Sequence, residues 1–389
     1  MKIKVSEKHI GLRIAVTAVA FVIAVVAFTI GVTSIGKKEP GYYSIEAKTD
    51  AEALTYNNAV LYRYWFDGKS NEIKGKIREL TGVYTPVLAA AYKQLDHQKT
   101  YTGQVSIGTI NKNLGQIVSV SPELYAILKD AYAKTLEKKG YNLFAGALYA
   151  EWESIQILDN PDEFDPVNNE YIQSRLHAIA AVVSDLSNFN LEFLDDTTCS
   201  VRFSTSDAYK VFCTENEITA YALDLNLLKD AYMLSMMGES LVKEGYSLGH
   251  LSTKEGLALN TSPRGSLNFD MHTREGGNDT VYASVNLDGV FSAATFTAYG
   301  MGSDYGYVLE HEGSKLYRHL YFDVRSADFA DVLMSATIIS HDTDIVGNTY
   351  RSIILNTLKS EQDVKNYAAT LEKEGKLVSY IFQSTQNLI

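Results

Sequence analysis

The pattern of the chain can be laid out from Asp224-Leu-Asn-Leu-Leu-Lys-Asp-Ala-Tyr232, where a strand-like run turns into a helix. Leu227, Ala231, Leu234, Gly238 and Leu241 recur at helical steps until Gly245, a spacing that predicts one amphipathic helix with a glycine stop. Ahead of it, 199–203 and 210–214 read as two strands about the turn signal Ser204-Thr-Ser-Asp207. Ile73, Ile77, Leu80 and Tyr84 hold helical spacing, and Thr85-Pro86 restarts a second helix through Val87, Leu88, Ala91 and Leu95. Residues 106–111 are turn-like and precede a β-rich run at 116–120; Ser121-Pro122-Glu123 then opens a helix on Leu124, Leu128, Ala131 and Thr135. Ile172, Leu176, Ile179 and Val183 mark another helix over 170–186, after an acidic surface loop at 159–169. Beyond Gly245 the texture changes to short strands at 267–273, 281–287, 294–299, 305–310, 315–322 and 333–339. Helices over 347–358 and 361–373 and a strand at 377–382 close the chain, so the class is α+β with a largely antiparallel sheet and flanking helices.

The N-terminus adds a different element. Residues 14–35 carry no charge and, at about 1.5 Å per residue, are long enough to span a hydrocarbon core. Lys2, Lys4, Lys8 and Arg13 stand before this run, so the expectation is a cytoplasmic tail at 1–13, a transmembrane anchor at 14–35 and an extracytoplasmic remainder. A cleaved signal peptide is the competing reading, but the run exceeds a usual apolar region and no A-x-A site follows it. The remainder divides into a connecting and helical region at 36–88 and a domain at 89–389.

A net charge of −12 argues against nucleic acid as a partner. Cys199 and Cys213, the two cysteines, flank the Ser204–Asp207 turn; a disulfide and two unpaired core thiols both account for them. No nucleophile elbow and no histidine pair with zinc-ligand spacing is present. At the head of the 227–241 helix, free N–H groups and the Lys229 ammonium would suit an anion such as a phosphate; an amphipathic helix with solvated charges accounts for the same residues.

Several phrases over 89–389 resemble the FAD:protein FMN transferase family, the ApbE-like proteins. Ser106 to Asn111 resembles a phrase that ends in asparagine, and Val118-Ser-Val-Ser-Pro-Glu-Leu124 the valine-serine-proline-glutamate-leucine phrase after it. Trp152 falls near the family's tryptophan. Asp224-Leu225 and Lys229 match an aspartate-leucine-glycine-glycine-x-alanine-lysine-glycine phrase, with Asn226 and Leu227 in place of its paired glycines and Asp230 in place of the last. Gly249 to Gly256 stands at the family's paired-glycine turn without the pair. His319 to Ser326 resembles the histidine-x-x-aspartate-proline-x-threonine-glycine phrase, and Asn348 with Ser352 occupy the metal loop's aspartate and threonine positions. The resemblance implies FAD as substrate or ligand, a flavin-acceptor protein as partner, Asn111, Asp224, Lys229 and His319 as nucleotide-binding residues, His319 and Asp323 as catalytic ones, and Asn348 and Ser352 as holders of magnesium.

The departures bear on chemistry. An amide in place of a carboxylate keeps an oxygen ligand but removes the charge that holds magnesium against its hydration shell, so metal binding is expected to be weak or lost. Asp342 and Asp344 lie just upstream, where acidic residues commonly face a helix N-terminus. Residues 288–297 loosely resemble a flavin-acceptor phrase with Thr295 or Thr297 as acceptor, and an ordinary strand accounts for them better. Three readings follow: an active transferase at the membrane, a catalytically inactive flavin-binding or protein-interaction module, and an envelope structural protein with a related fold.

Overall fold

The computed structural model describes residues 39–48, 59–254, 256–275, 278–297 and 306–386. The anchor expected at 14–35 lies outside these, and among the described residues no helix is long and apolar enough to cross a membrane.

Strands β1 (Gly41–Ile45) and β2 (Leu61–Phe66) lead into the long helix α1 (Ser70–Leu95), followed by α2 (Ile107–Lys112), β3 (Ile117–Ser119), α3 (Pro122–Leu136), α4 (Gly146–Gln156) and α5 (Glu170–Ser184). Next come β4 (Phe189–Asp195), β5 (Ser200–Thr205), α6 (Asp207–Glu215) and α7 (Lys229–Lys243). The second half holds β6 (Gly249–Ser252), β7 (Leu257–Asn260), β8 (Ser266–Glu275), β9 (Asn278–Asp288), β10 (Phe291–Thr297), β11 (Tyr307–His311), β12 (Ser314–Arg318) and β13 (Leu333–Ser340). Helices α8 (Ile345–Asn356) and α9 (Glu361–Lys373) and strand β14 (Leu377–Phe382) complete it.

The main sheet is antiparallel throughout, in the order β1-β2-β6-β7-β10-β13-β14. Alternation along its centre decides what each face meets. In β10 and β13 the pairs Ser292–Ser340 and Phe296–Ala336 point to the helices, whereas Ala293–Ile339 and Thr295–Thr337 point the other way. Helix α7 lies over the first face, against α1, α8, β6 and β7. The β8–β9 hairpin covers the second, setting Phe269 and Val285 on Phe291, Ala293 and Ile339, with the Ser335 hydroxyl donating to the His272 carbonyl at 2.6 Å. A separate sheet, β3-β5-β4, is filled by aromatic rings: Phe144 stacks on Phe189 and Phe203 at centroid distances of 4.7 and 5.7 Å.

Several expectations are corrected. Helix α1 runs unbroken through Pro86, because Ile73, Leu80, Tyr84, Leu88, Ala91 and Leu95 form one continuous buried stripe. Proline inside a helix costs about 3 kcal/mol, less than the several side chains of this stripe gain on burial at about 1.5–3 kcal/mol each. The proline removes one helix hydrogen bond, and the Thr85 hydroxyl donates to the Thr81 carbonyl at 2.7 Å. Ser106 is the N-cap of α2 rather than part of a turn, its hydroxyl accepting from Thr109 N at 3.1 Å.

Residues 210–214 are helical, not a strand. Ser206 caps α6 by accepting from Tyr209 N at 3.0 Å, and Tyr209 packs on Phe189 while Val211 is exposed. The hairpin that would have brought the cysteines face to face therefore does not exist, and both thiols are free. Strands β4, β6 and β7 were not expected from the sequence, and the last part of 315–322 leaves β12 after Arg318.

The supposed surface loop at 159–169 carries the most deeply buried ion pair. Asp165, with no exposed surface, receives Arg318 Nε at 2.6 Å and Nη2 at 3.2 Å, and the Tyr307 hydroxyl at 2.8 Å; Asp331 pairs with Nη1 of the same arginine. Arg318→Met should lower the unfolding free energy by about 3–5 kcal/mol, because it strands a buried carboxylate. Chemical denaturation should show this, and also show much of the loss recovered in the double variant Asp165→Leu/Arg318→Met.

Candidate functional site

The loop from Tyr221 to Leu228 crosses the start of α4 at closest contact. Gly146 N donates to the Ala222 carbonyl at 3.2 Å, and any Cβ on Gly146 would overlap the Tyr221 carbonyl, so only glycine fits. Asn111, buried at the end of α2, holds the loop from the other side. Its Nδ2 donates to the carbonyls of His97 at 3.0 Å and Leu223 at 2.8 Å, and its Oδ1 accepts from Leu223 N at 3.3 Å. All the hydrogen-bonding capacity of this amide on its nitrogen is engaged by the chain, which makes it a clamp on the loop.

Asp224 is thereby fixed. Its Oδ1 accepts from Asn226 N at 3.0 Å and lies 3.3 Å from His97 Nδ1. Asn226 bends the chain in a left-handed conformation, φ 50°, and its amide turns back onto the carbonyls of Asp224 and Asn142 at 2.9 and 3.1 Å. Asparagine tolerates this conformation better than other residues with a side chain, so the bend survives without glycine. The helix start is less open than expected: a 3-10 turn (Asn226–Leu228) precedes α7, and the N–H groups of Asn226, Leu228 and Lys229 find acceptors within it. What remains for an anion is the side chain of Lys229, whose Nζ stands 5.4 Å from the centre of the Tyr92 ring and makes no ion pair among the described residues.

Helix α4 links this loop to His319. Trp152 Nε1 and Gln156 Nε2, one turn apart, both donate to the His319 carbonyl, at 2.8 and 3.1 Å. The His319 ring is buried against Phe296 at 4.5 Å, and its Nδ1 accepts from Tyr321 N at 2.9 Å. Burial, assisted by the Arg318 charge, pushes this imidazole down to about 3. It stays neutral at physiological pH with its one lone pair engaged, so it is poorly placed to accept a proton. Asp323 is held in a similar way: Oδ1 accepts Arg325 N at 3.1 Å and Nε at 2.8 Å, and Oδ2 accepts Nη2 at 2.6 Å.

Glu153 was not anticipated. It lies four residues after buried Tyr149 on α4, half-buried, and burial followed by the nearby Asp224 charge raises its carboxyl to about 7 against the pull of Lys229. Its only sequence signal is a carboxylate on the inner face of a helix that is otherwise buried.

Asn348 and Ser352 lie one turn apart on α8, facing β10 and β13. Asn348 Nδ2 donates to the Ser340 hydroxyl at 2.7 Å and to the Ser292 hydroxyl and carbonyl at 3.0 and 3.3 Å. Asn348 Oδ1 and Ser352 Oγ are buried with no partner. Two free oxygens would meet part of a cation's demand, but the pair is neutral and sealed from water, and magnesium seeks six oxygens that usually include carboxylate and water. The nearest carboxylate, Asp342, accepts from Ser340 Oγ at 2.7 Å and Asp344 N at 2.9 Å and has Lys376 Nζ at 3.9 Å; Asp344 caps α8. Among the described residues no three His, Cys, Asp or Glu side chains gather as a metal site. These residues do not fit magnesium. Thr295 is a buried strand residue, its hydroxyl 3.2 Å from that of Thr337, and is not an accessible acceptor.

The fold thus sets His97 against Asp224, with Lys229 at the head of α7, clamps the loop through Asn111, and reaches His319 through α4. Helix α8 abuts the 226–228 turn and adds a neutral polar seam beneath it.

No protein-family model matches the chain, and no curated protein matches its sequence. Solved structures do. The ApbE protein from Thermotoga maritima superposes with a TM-score of 0.59 at 13% identity, over 88% of this chain and 95% of that one. The flavinyl transferase ApbE of Pseudomonas stutzeri gives 0.52 at 14% identity, over 89% and 91%, and the flavin transferase ApbE from Vibrio cholerae 0.52 at 11%, over 88% and 94%. At such identities the likeness concerns the backbone, and the conclusion it carries is that this chain has the fold of the ApbE flavin transferases.

Proposed function

We propose that the protein binds FAD at the Asp224 loop as an ApbE-type flavin-binding module, and that it does not perform magnesium-dependent FMN transfer. One observation carries the reading. Asn111 clamps the Asp224 loop and Lys229, which makes no ion pair among the described residues, stands at the head of α7, while Asn348 and Ser352 are neutral and sealed. Lys229 would meet the diphosphate, Asp224 and His97 would set the edge of the site, and His319 would line it as a neutral ring. Phosphoryl transfer depends on neutralising and positioning the diphosphate, and one lysine supplies only part of that.

The reading includes anchoring through 14–35, supported by the uncharged run and its basic flank, with the described residues outside the cytoplasmic membrane and a partner protein as the functional counterpart. A second reading, transfer of FMN to a threonine or serine of that partner, is favoured by Glu153, whose carboxyl exchanges its proton near neutrality beside Asp224 and Lys229.

Calorimetric titration of FAD into the full-length, detergent-solubilised protein tests the proposal. We expect binding of the same strength in magnesium and in chelator; tight binding only with magnesium overturns it in favour of transfer. The variant Asn348→Asp removes the donors to Ser292 and Ser340 and should lose roughly 2 kcal/mol of stability in chelator. Magnesium should restore part of that loss, read as a rise in melting temperature, and should then strengthen FAD binding.

A further inference from the structure

The corner of the main sheet where β1 begins carries aromatic rings on its outer side. Tyr42 and Trp65 are partners across the β1–β2 ladder, and their rings meet edge to face with centroids 5.2 Å apart. Alternation places them, with Leu61 and Arg63, on the face opposite to Tyr62, Tyr64 and Phe66, which are buried, Tyr62 stacking on Tyr84 of α1. The β8–β9 hairpin covers this outer face over β10 and β13, and at the β1–β2 end it leaves Leu61 54% exposed, Arg63 exposed and both rings half-buried.

The polar groups of the cluster are already satisfied. Trp65 Nε1 donates to Asp67 Oδ1 at 2.9 Å, Arg264 Nη1 pairs with Asp67 Oδ2 at 2.6 Å, and the Tyr42 hydroxyl donates to the Arg264 carbonyl at 3.3 Å. Taking both rings out of water therefore strands no N–H or O–H group, and the carboxylate among them carries its own counter-ion. Arg63 and Lys69 flank the rings, exposed and without an ion pair among the described residues, and suit lipid phosphates; Glu39 and Glu46 stand beyond the two ends of β1.

The place of the cluster in the chain says what reaches it. Tyr42 comes seven residues after the uncharged run at 14–35, so fully extended chain holds it no more than about 25 Å from the end of that run. A domain of this length is roughly 50 Å across, so a tether this short keeps the β1 corner on the bilayer side. We propose that Tyr42 and Trp65 form a docking corner whose rings sit among the lipid headgroups of the bilayer that holds the anchor. The inference rests on the anchoring part of the reading above and adds an orientation to it. Tyrosine and tryptophan favour this layer because each joins an apolar ring to a polar edge. Helix α1 starts beside the corner and ends next to His97, so the Asp224 loop stands about 39 Å away along the helix axis, outside the docked surface.

The chain has two tryptophans, and Trp152 is fully buried, so a quencher carried by the bilayer reads Trp65 alone. The full-length protein is reconstituted into vesicles of phosphatidylcholine and phosphatidylglycerol, with and without bromine on the acyl chains close to the glycerol. Brominated lipid should remove about half of the tryptophan emission, the share of one residue of two. Trp65→Phe, or Trp65→Tyr should the first variant not fold, should emit equally in both lipids. Wild-type emission that is the same in both lipids overturns the docking, and so does quenching that survives the loss of Trp65. Alkaline extraction of the same vesicles checks the anchor separately. Protein that stays with the lipid while Trp65 is unquenched keeps the anchor and refutes the docking, whereas protein that washes off refutes the anchor and the docking with it.

Discussion

Arg318 is the residue on which the geometry of the site hangs. It is nearly fully buried, grips Asp165 with two hydrogen bonds and also meets Asp331. The pair contributes little net stability, since desolvating both ions offsets most of their attraction. What it does supply is position. It ties the loop between α4 and α5 to the end of β12, and the next residue, His319, then offers its carbonyl to Trp152 and Gln156 at fixed height along α4. Everything α4 carries toward the Asp224 loop inherits that placement.

The site built on this frame differs in chemical character from what the resemblance implied. His319 is a neutral ring with its lone pair engaged, Asp323 is paired with Arg325, and Asn348 and Ser352 lie in a dry seam of amides and hydroxyls. The changes are mutually consistent. A sealed seam beneath the 226–228 turn suits Asn226, whose side chain packs back on its own loop where glycines would have left room for a ligand. Lys229 makes no ion pair among the described residues, and His97 stands beside Asp224.

How much of this could be read from the sequence depends on how local each signal was. Ser121-Pro122 before a helical stripe, the segment 361–373 and the strand at 377–382 were legible because cap, period and propensity agreed. At 210–214 the run Lys-Val-Phe-Cys-Thr favours a strand by propensity, and only the Ser206 cap pointed to a helix. Thr85-Pro86 reads as a helix start in isolation, and the buried stripe that overrides it needs the β-strand partners of α1. The acidic, proline-bearing run at 159–169 looks solvated because its arginine is more than a hundred residues away. Asp224 and Lys229 stood out as a pair, but Glu153 could not, since its raised proton affinity comes first from burial in the fold and only then from Asp224.

The polar seam has a mechanical side. Asn348, Ser352 and Asn356 follow one another at steps of four along α8, each with an oxygen that nothing satisfies. The three positions are not interchangeable: Asn348 alone reaches across to Ser292 and Ser340, and a slide of α8 by one turn, about 5.4 Å, would set the single hydroxyl of Ser352 where that amide donates. The apolar side agrees, with Ile345, Tyr350 and Ile353 in the main core and Leu355 enclosed with Phe296, Ala336 and Val364. Helix α8 is in that sense a shaft indexed by one amide and seated by its apolar face, and the 226–228 turn that rests on it takes its own height from the same seat.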